Sequence, residues 1–194
     1  MLSALLVLAA SSLTVGSASS AVAATACEEA LAQPFQPWLD PAWYALAPDG
    51  GLERGGAGWQ LGGGAAVSSG NEPWAVSGPG SHVLALPSGA VAATPPVCVG
   101  LLHPSARLFV RNAAPLGLGL LKVDAEVTAA GVQATVPVAV VTAGARFQPT
   151  LPLALLANLA TPLEGGTGSV RLRFTALGGA WELDDVYVDP FKTT

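Results

Sequence analysis

Charge is sparse in this sequence: only 11% of its 194 residues are Asp, Glu, Lys or Arg. The eight basic residues are scattered from Arg54 to Lys192. A Lys/Arg stripe able to neutralise a phosphate backbone is therefore lacking, which argues against nucleic acid as a partner. The net charge of −5 is equally dispersed and forms no acidic tail. Histidine occurs only at His82 and His103, which have no metal-ligand spacing such as His-x-x-x-His. A Gly-x-Ser-x-Gly turn is also missing, so a hydrolase of that class would lack its nucleophile elbow. Glu72, Glu126, Glu182 and Asp184 could be combined into the paired carboxylates of a glycosidase, but any acidic sandwich offers as much. These absences point away from an enzyme.

Long uninterrupted segments are missing as well. Glycine (23) and proline (16) recur every few positions from Pro34 to Pro190, which breaks up helices and favours short strands joined by turns. Apolar residues nevertheless make up 51% of the chain, enough for a buried core and too many for a disordered chain. The surplus of arginine over lysine, with abundant alanine and glycine, is a codon signature of a GC-rich bacterial genome.

The first 26 residues carry no charge. The apolar run Leu2 to Ala10, broken only by Ser3, precedes the small-x-small patterns Ala21-Val22-Ala23 and Ala24-Thr25-Ala26, and this reads as a secretory signal peptide over residues 1–26. From Ser11 onward serines and threonine dilute the run below the roughly 20 apolar residues a membrane span needs. Export would place the two cysteines, Cys27 and Cys98, in an oxidising compartment where they can pair. Closing a loop of roughly 70 residues would stabilise the fold by about 4 kcal/mol on the chain-entropy model. The competing reading is a lipoprotein anchored through Cys27, although Ala24 stands where a lipobox prefers Leu.

Residues 27–48 form a lead-in dense in proline and aromatics, expected to lie extended on the core and be anchored by Phe35, Trp38, Trp43 and Tyr44. Residues 49–191 are expected to form one all-β antiparallel sandwich. Candidate strands run from Gly51 to Arg54, Gly58 to Leu61, Ala65 to Ser68, His82 to Pro87, Val97 to Leu102, Ala106 to Asn112, Leu121 to Thr128, Val132 to Val141, Gln148 to Leu155, Ser169 to Ala176 and Trp181 to Val188. Val170, Leu172 and Phe174 alternate with Arg171 and Arg173, and Val123, Ala125 and Val127 with Lys122, Asp124, Glu126 and Thr128. Such period-two alternation sets one face on a core and one in water. Leu151 to Leu159 has helical composition but is bracketed by prolines, so a strand and a single helical turn both stay open.

Two passages carry a family resemblance. Gly50-Gly51-Leu52-Glu53-Arg54-Gly55-Gly56-Ala57-Gly58-Trp59 and the closing segment Trp181-Glu182-Leu183-Asp184-Asp185-Val186-Tyr187-Val188 together resemble the galactose-binding-like jelly-roll modules. The resemblance is particularly to the non-catalytic carbohydrate-binding modules that open on Gly-x-Phe-Glu-x-Gly-x-x-x-Trp and close on an Ile-Asp-Asp-Val strand. Leu52 replaces the usual Phe. The lead-in, together with Asn71-Glu72-Pro73-Trp74, looks more like a group of secreted bacterial proteins than any module with a known sugar. The resemblance implies a jelly roll and a structural calcium between the first and last strands, held by Glu53 and by Asp184 or Asp185. Strand parity, with Val186 and Val188 inward, selects Asp184 as the inward carboxylate and leaves Asp185 outward beside Tyr187. The alternative is that Asp184 caps backbone amides or pairs with Arg173.

Ligand residues vary among such modules, so none transfers directly. Trp59 reads as core. Trp74, with Asn71 and Glu72 in the same loop, is the candidate ligand contact, with packing as its alternative role. The expected function is non-catalytic binding of a carbohydrate or another cell-surface polymer. The alternative is a structural or protein-interaction domain of the cell envelope.

Overall fold

The computed structural model describes residues 30–100, 105–129, 132–155 and 167–189. The expected leader, Cys27 and therefore the Cys27–Cys98 pairing, His103, and the second half of the Leu151–Leu159 segment lie outside these residues. Within them the chain is a sandwich of two antiparallel sheets, as the alternating strands predict, and residues 151–155 contain a short strand but no helix.

The first sheet, sheet A, contains β1 (Leu31–Ala32), β2 (Tyr44–Leu46), β4 (Ala66–Ser69), β5 (His82–Leu86), β8 (Ser105–Asn112), β11 (Gln148–Pro149), β12 (Leu153–Ala154) and β14 (Trp181–Asp189). Sheet B contains β3 (Gln60–Gly62), β6 (Val91–Ala93), β7 (Val97–Gly100), β9 (Leu120–Ala129), β10 (Val132–Val141) and β13 (Thr167–Leu177), in the order β10-β9-β13-β6-β3 with β7 also on β13. Inward residues of both sheets form the main core, among them Leu84, Leu108, Val110, Trp181 and Leu183 from sheet A and Val123, Ala125, Leu172 and Phe174 from sheet B. Alternation along β9 and β13 sends their polar residues to the opposite face.

Three short strands, β1, β2 and β6, were not signalled by the sequence; at two or three residues each they are too short to show a period. The Gly51 to Arg54 expectation fails. This stretch is a series of turns in which Leu52 takes a left-handed φ of 62° while its side chain stays buried. Asp49 organises it, its carboxylate accepting the backbone N–H groups of Arg54 at 2.9 Å and Ala57 at 2.7 Å. The turns deliver Trp59 to the core, where its ring stacks on Phe174 and its indole N–H donates to the Asp49 carbonyl.

The two outer faces differ. On sheet A, Phe109 and Tyr187 form a second apolar cluster with Phe35 and Tyr44 of the lead-in. Phe35 stacks on Phe109, meets Tyr44 and Tyr187 edge-on, and lies under the Arg107 guanidinium. Arg107 also forms an ion pair with Asp40 and donates to the Thr150 carbonyl at 2.8 Å. Burial pushes the Asp40 carboxyl up, but hydrogen bonds from Tyr44 and Arg107 outweigh it and hold the pKa below its usual value. The lead-in is thus a covering layer with a strand, β2, hydrogen-bonded to β14. Trp43 is 38% exposed.

If this layer is integral, Phe35→Ala should cost about 3–5 kcal/mol, the range for deleting a buried aromatic. Chemical denaturation measures it, and a loss below about 1 kcal/mol would show that the lead-in is an accessory.

Candidate functional site

Strand β14 does not keep the parity expected of it. Its register against β8 shifts between Asp184 and Tyr187, so Asp185 and Val186 together occupy the position opposite Leu108. Asp185 takes a left-handed φ of 48°. This is the geometry of a β-bulge, which adds one residue and reverses the alternation beyond it. Trp181 and Leu183 face the main core before the bulge, and Val186 and Val188 face it after. The expected assignment of Asp184 inward and Asp185 outward is thereby corrected. Asp184 lies opposite Phe109 and reaches the loop that covers sheet A, while Asp185 is as deeply buried as Asp184.

The loop from Asn71 to Ser77 closes over this corner. Asp184 accepts the Glu72 N–H through Oδ2 and the Asp185 N–H through Oδ1, both at 2.9 Å. Asp185 Oδ2 accepts the Ser77 N–H at 3.2 Å, and its Oδ1 is buried without a hydrogen-bond partner. Gly51 permits this approach, since a Cβ there would lie 2.9 Å from that oxygen. Glu72 is also buried and accepts the N–H groups of Trp74 and Val76 at 2.6 and 2.7 Å. Three carboxylates thus share one corner. Burial, reinforced by the charge of Asp185, raises the Asp184 pKa to about 8 despite its two amide donors. Burial, with the charges of Glu72 and Glu53, raises Asp185 to about 6.

Glu53 lies close enough for its charge to act on Asp185, but its oxygens are engaged elsewhere. Its carboxylate is largely exposed, accepts the N–H groups of Ser81 and His82 at 2.7 and 3.0 Å and pairs with the His82 ring at 3.1 Å. The Ser81 amide is the first cause holding its pKa below normal. Among the described residues, no three Asp, Glu, His or Cys side chains converge as a metal-ligating group. Glu53 does not join the two aspartates as expected, because its oxygens are taken up by the Ser81–His82 turn. The Oδ1 of Asp185 is left without a hydrogen-bond partner in a corner of like charge.

The Asn71–Glu72–Trp74 triad is likewise divided by the loop's own architecture. Glu72 is withdrawn as a ligand contact because its oxygens cap the loop. Asn71 approaches Gly80 beside Glu53, where a Cβ on Gly80 would lie 2.8 Å from its Oδ1. Trp74 is 46% exposed, yet it packs edge-on against Trp38 and tilted on Phe109, completing the covering layer of sheet A.

Among the described residues, none forms such a cover over the outer face of sheet B. A groove of about 580 Å³ crosses it, lined by Gln60 of β3, Pro96, Glu126 of β9, Gln133 and Thr135 of β10, and Ser169 and Arg171 of β13. Strand register builds it: Thr135 lies opposite Glu126, which lies opposite Arg171, and the next row runs Gln133, Thr128, Ser169. From β10 to β3 the sheet takes four interstrand steps, roughly 19 Å at the usual spacing. The volume falls within the ordinary range for ligand sites. Glu126 pairs with Arg173 at 2.9 Å and Lys122 with Asp124 at 2.9 Å, while Arg171 donates to the Thr94 carbonyl at 3.0 Å. The sequence marked none of these residues as a ligand contact, although the alternation along β9 and β13 already placed Glu126 and Arg171 on solvent-facing sides of their strands.

Two opposed antiparallel sheets, a Gly-rich opening turn that delivers Trp59 to the core and a closing Asp-Asp strand define an all-β sandwich of the jelly-roll type. No family model matches the chain, and no curated protein matches it in sequence. Among solved structures it is similar to the CBM22-1 xylan-binding domain of Paenibacillus barcinonensis Xyn10C, with 16% identity over 77% of this chain and 99% of that one and a TM-score of 0.53. It is also similar to the CBM22-1–GH10 modules of Clostridium thermocellum Xyn10B complexed with xylohexaose, with 12% identity over 73% of this chain and 28% of that one and a TM-score of 0.55. The CBM22-1–CBM22-2 tandem of Xyn10C is matched at 16% identity over 77% of this chain and 48% of that one, with a TM-score of 0.53. At these identities the similarity establishes the fold.

The acidic corner has a pH signature. A carboxyl whose pKa is raised on folding contributes stability that is present below its unfolded pKa, near 3.8, and lost as pH rises through its folded value. In chelator, the melting temperature should therefore fall between about pH 4 and about pH 8, and Asp185→Asn should flatten the decline. A melting temperature that rises steadily over this range would contradict the buried corner.

Proposed function

We propose that the chain is a non-catalytic carbohydrate-binding module acting outside the cytoplasm, with its ligand in the groove across sheet B. The observation that carries this reading is the asymmetry of the sandwich. One outer face is sealed by the lead-in and the Asn71–Ser77 loop, whereas the other, among the described residues, is open, polar and grooved. Amides, hydroxyls, a carboxylate and a guanidinium are the groups that hydrogen-bond sugar hydroxyls, and strands hold them more rigidly than loops would. Similarity in fold to a xylan-binding domain supports the reading. Export rests on the uncharged leader and the two cysteines. Among the described residues no helix is long and apolar enough to cross a membrane.

A structural calcium belongs to the same proposal. Asp185 would supply its free oxygen and Asp184 a second carboxylate, with main-chain carbonyls completing an oxygen shell. The ion would provide the positive charge that this corner lacks.

A second reading, a protein-interaction domain, has one observation behind it. Leu116, Leu118, Leu120 and Leu177 are exposed, and Leu120 and Leu177 are register partners.

Affinity electrophoresis of the protein through a panel of soluble plant and microbial polysaccharides tests the main proposal. At least one should retard it, and no retardation by any, with and without calcium, would leave the interaction reading in its place. Calcium should raise the melting temperature by several degrees over that in chelator, and an unmoved transition would remove the ion from the proposal.

A further inference from the structure

We infer that the sheet B groove is selective for acidic glycans, with Arg171 receiving the carboxylate of a uronic acid residue. This rests on the carbohydrate reading above and narrows its ligand class.

The charges on this face are unequally paired. Lys122 is neutralised by Asp124 and Arg173 by Glu126. Glu126 is the register partner of Arg171, yet its carboxylate is engaged by Arg173, two residues along the same strand. Arg171 makes no salt bridge among the described residues. Its Nη1 donates instead to the Thr94 carbonyl, a neutral acceptor that fixes the guanidinium without cancelling its charge. The charge left for a ligand in the groove is therefore positive, in a chain whose net charge is −5.

The chemistry of the lining leads to the same ligand class. None of the described residues lining the groove is aromatic, so among them no ring is available to stack on a sugar face. Affinity must then come from hydrogen bonds, and those to a charged partner are the stronger ones. A guanidinium presents five N–H donors in a planar fork that matches a carboxylate. With one N–H held by Thr94, the others are available. Gln60, Gln133, Thr135 and Ser169 supply neutral donors and acceptors for the hydroxyls of flanking sugars.

Isothermal titration of the full chain with an oligogalacturonate and with a neutral xylo-oligosaccharide of equal length, at low and high salt, tests this. The acidic ligand should bind more tightly and lose its advantage in high salt. Arg171→Gln should weaken acidic binding about tenfold or more and leave neutral binding within about twofold. Arg146→Gln, an exposed arginine outside the groove lining, should change neither. If Arg171→Gln does not fold, Glu126→Gln replaces it: releasing Arg173 should tighten acidic binding. Equal or tighter binding of the neutral ligand would overturn acidic selectivity while the carbohydrate reading stands. No binding in either arm, together with a negative polysaccharide panel, would overturn both.

Discussion

The bulge at Asp184–Asp185 in β14 is the constraint on which the rest of the structure depends. This strand hydrogen-bonds to β5 and β2 along one edge and to β8 along the other, so it fixes the register of sheet A. Adding one residue lets Trp181 and Leu183 enter the core before the bulge and Val186 and Val188 enter it after. It also turns two adjacent carboxylates into a corner from which water is excluded. The cost of burying them is offset partly by backbone amides from the Asn71–Ser77 loop, which ties that loop to the sheet. The remaining oxygen of Asp185 leaves this corner short of one positive partner.

From that constraint follows the difference between the two outer faces. With the loop anchored on β14, Trp74 can complete the aromatic layer begun by Phe35, Trp38 and Tyr44, and sheet A becomes buried on both sides. An antiparallel sheet needs only one covered face. Sheet B follows that pattern, and its solvent face keeps the polar half of each alternating strand. The groove is therefore a consequence of which sheet the lead-in covers, and its charge is set by which carboxylate each arginine meets.

Much of the sandwich was legible in the sequence because period-two alternation is a local signal. Val123 to Val127 and Val170 to Phe174 lie on the inner face as their pattern predicts. The turn at Gly51–Arg54 was not legible, because it depends on Asp49 capping amides five and eight residues away and on Leu52 adopting a positive φ. Nor was the bulge, since alternation read backward from Val188 and Val186 gives no sign that an extra residue intervenes. That single missed residue misassigned Asp184 and Asp185. For the ligand site, Trp74 drew attention by its residue type, whereas the groove is assembled from four strands, β3, β9, β10 and β13. Its members, Gln60, Gln133 and Ser169, are unremarkable until strand pairing sets them on one face.

The central claim is that ligand enters on sheet B and that the aromatic layer on sheet A is structural. Backbone amide shifts followed by NMR while an oligosaccharide that binds is titrated in test this directly. The account predicts that perturbations gather at Gln60, Glu126, Gln133, Ser169 and Arg171. Perturbations centred on Asn71, Trp74 and Trp38, with the sheet B amides unmoved, would contradict it.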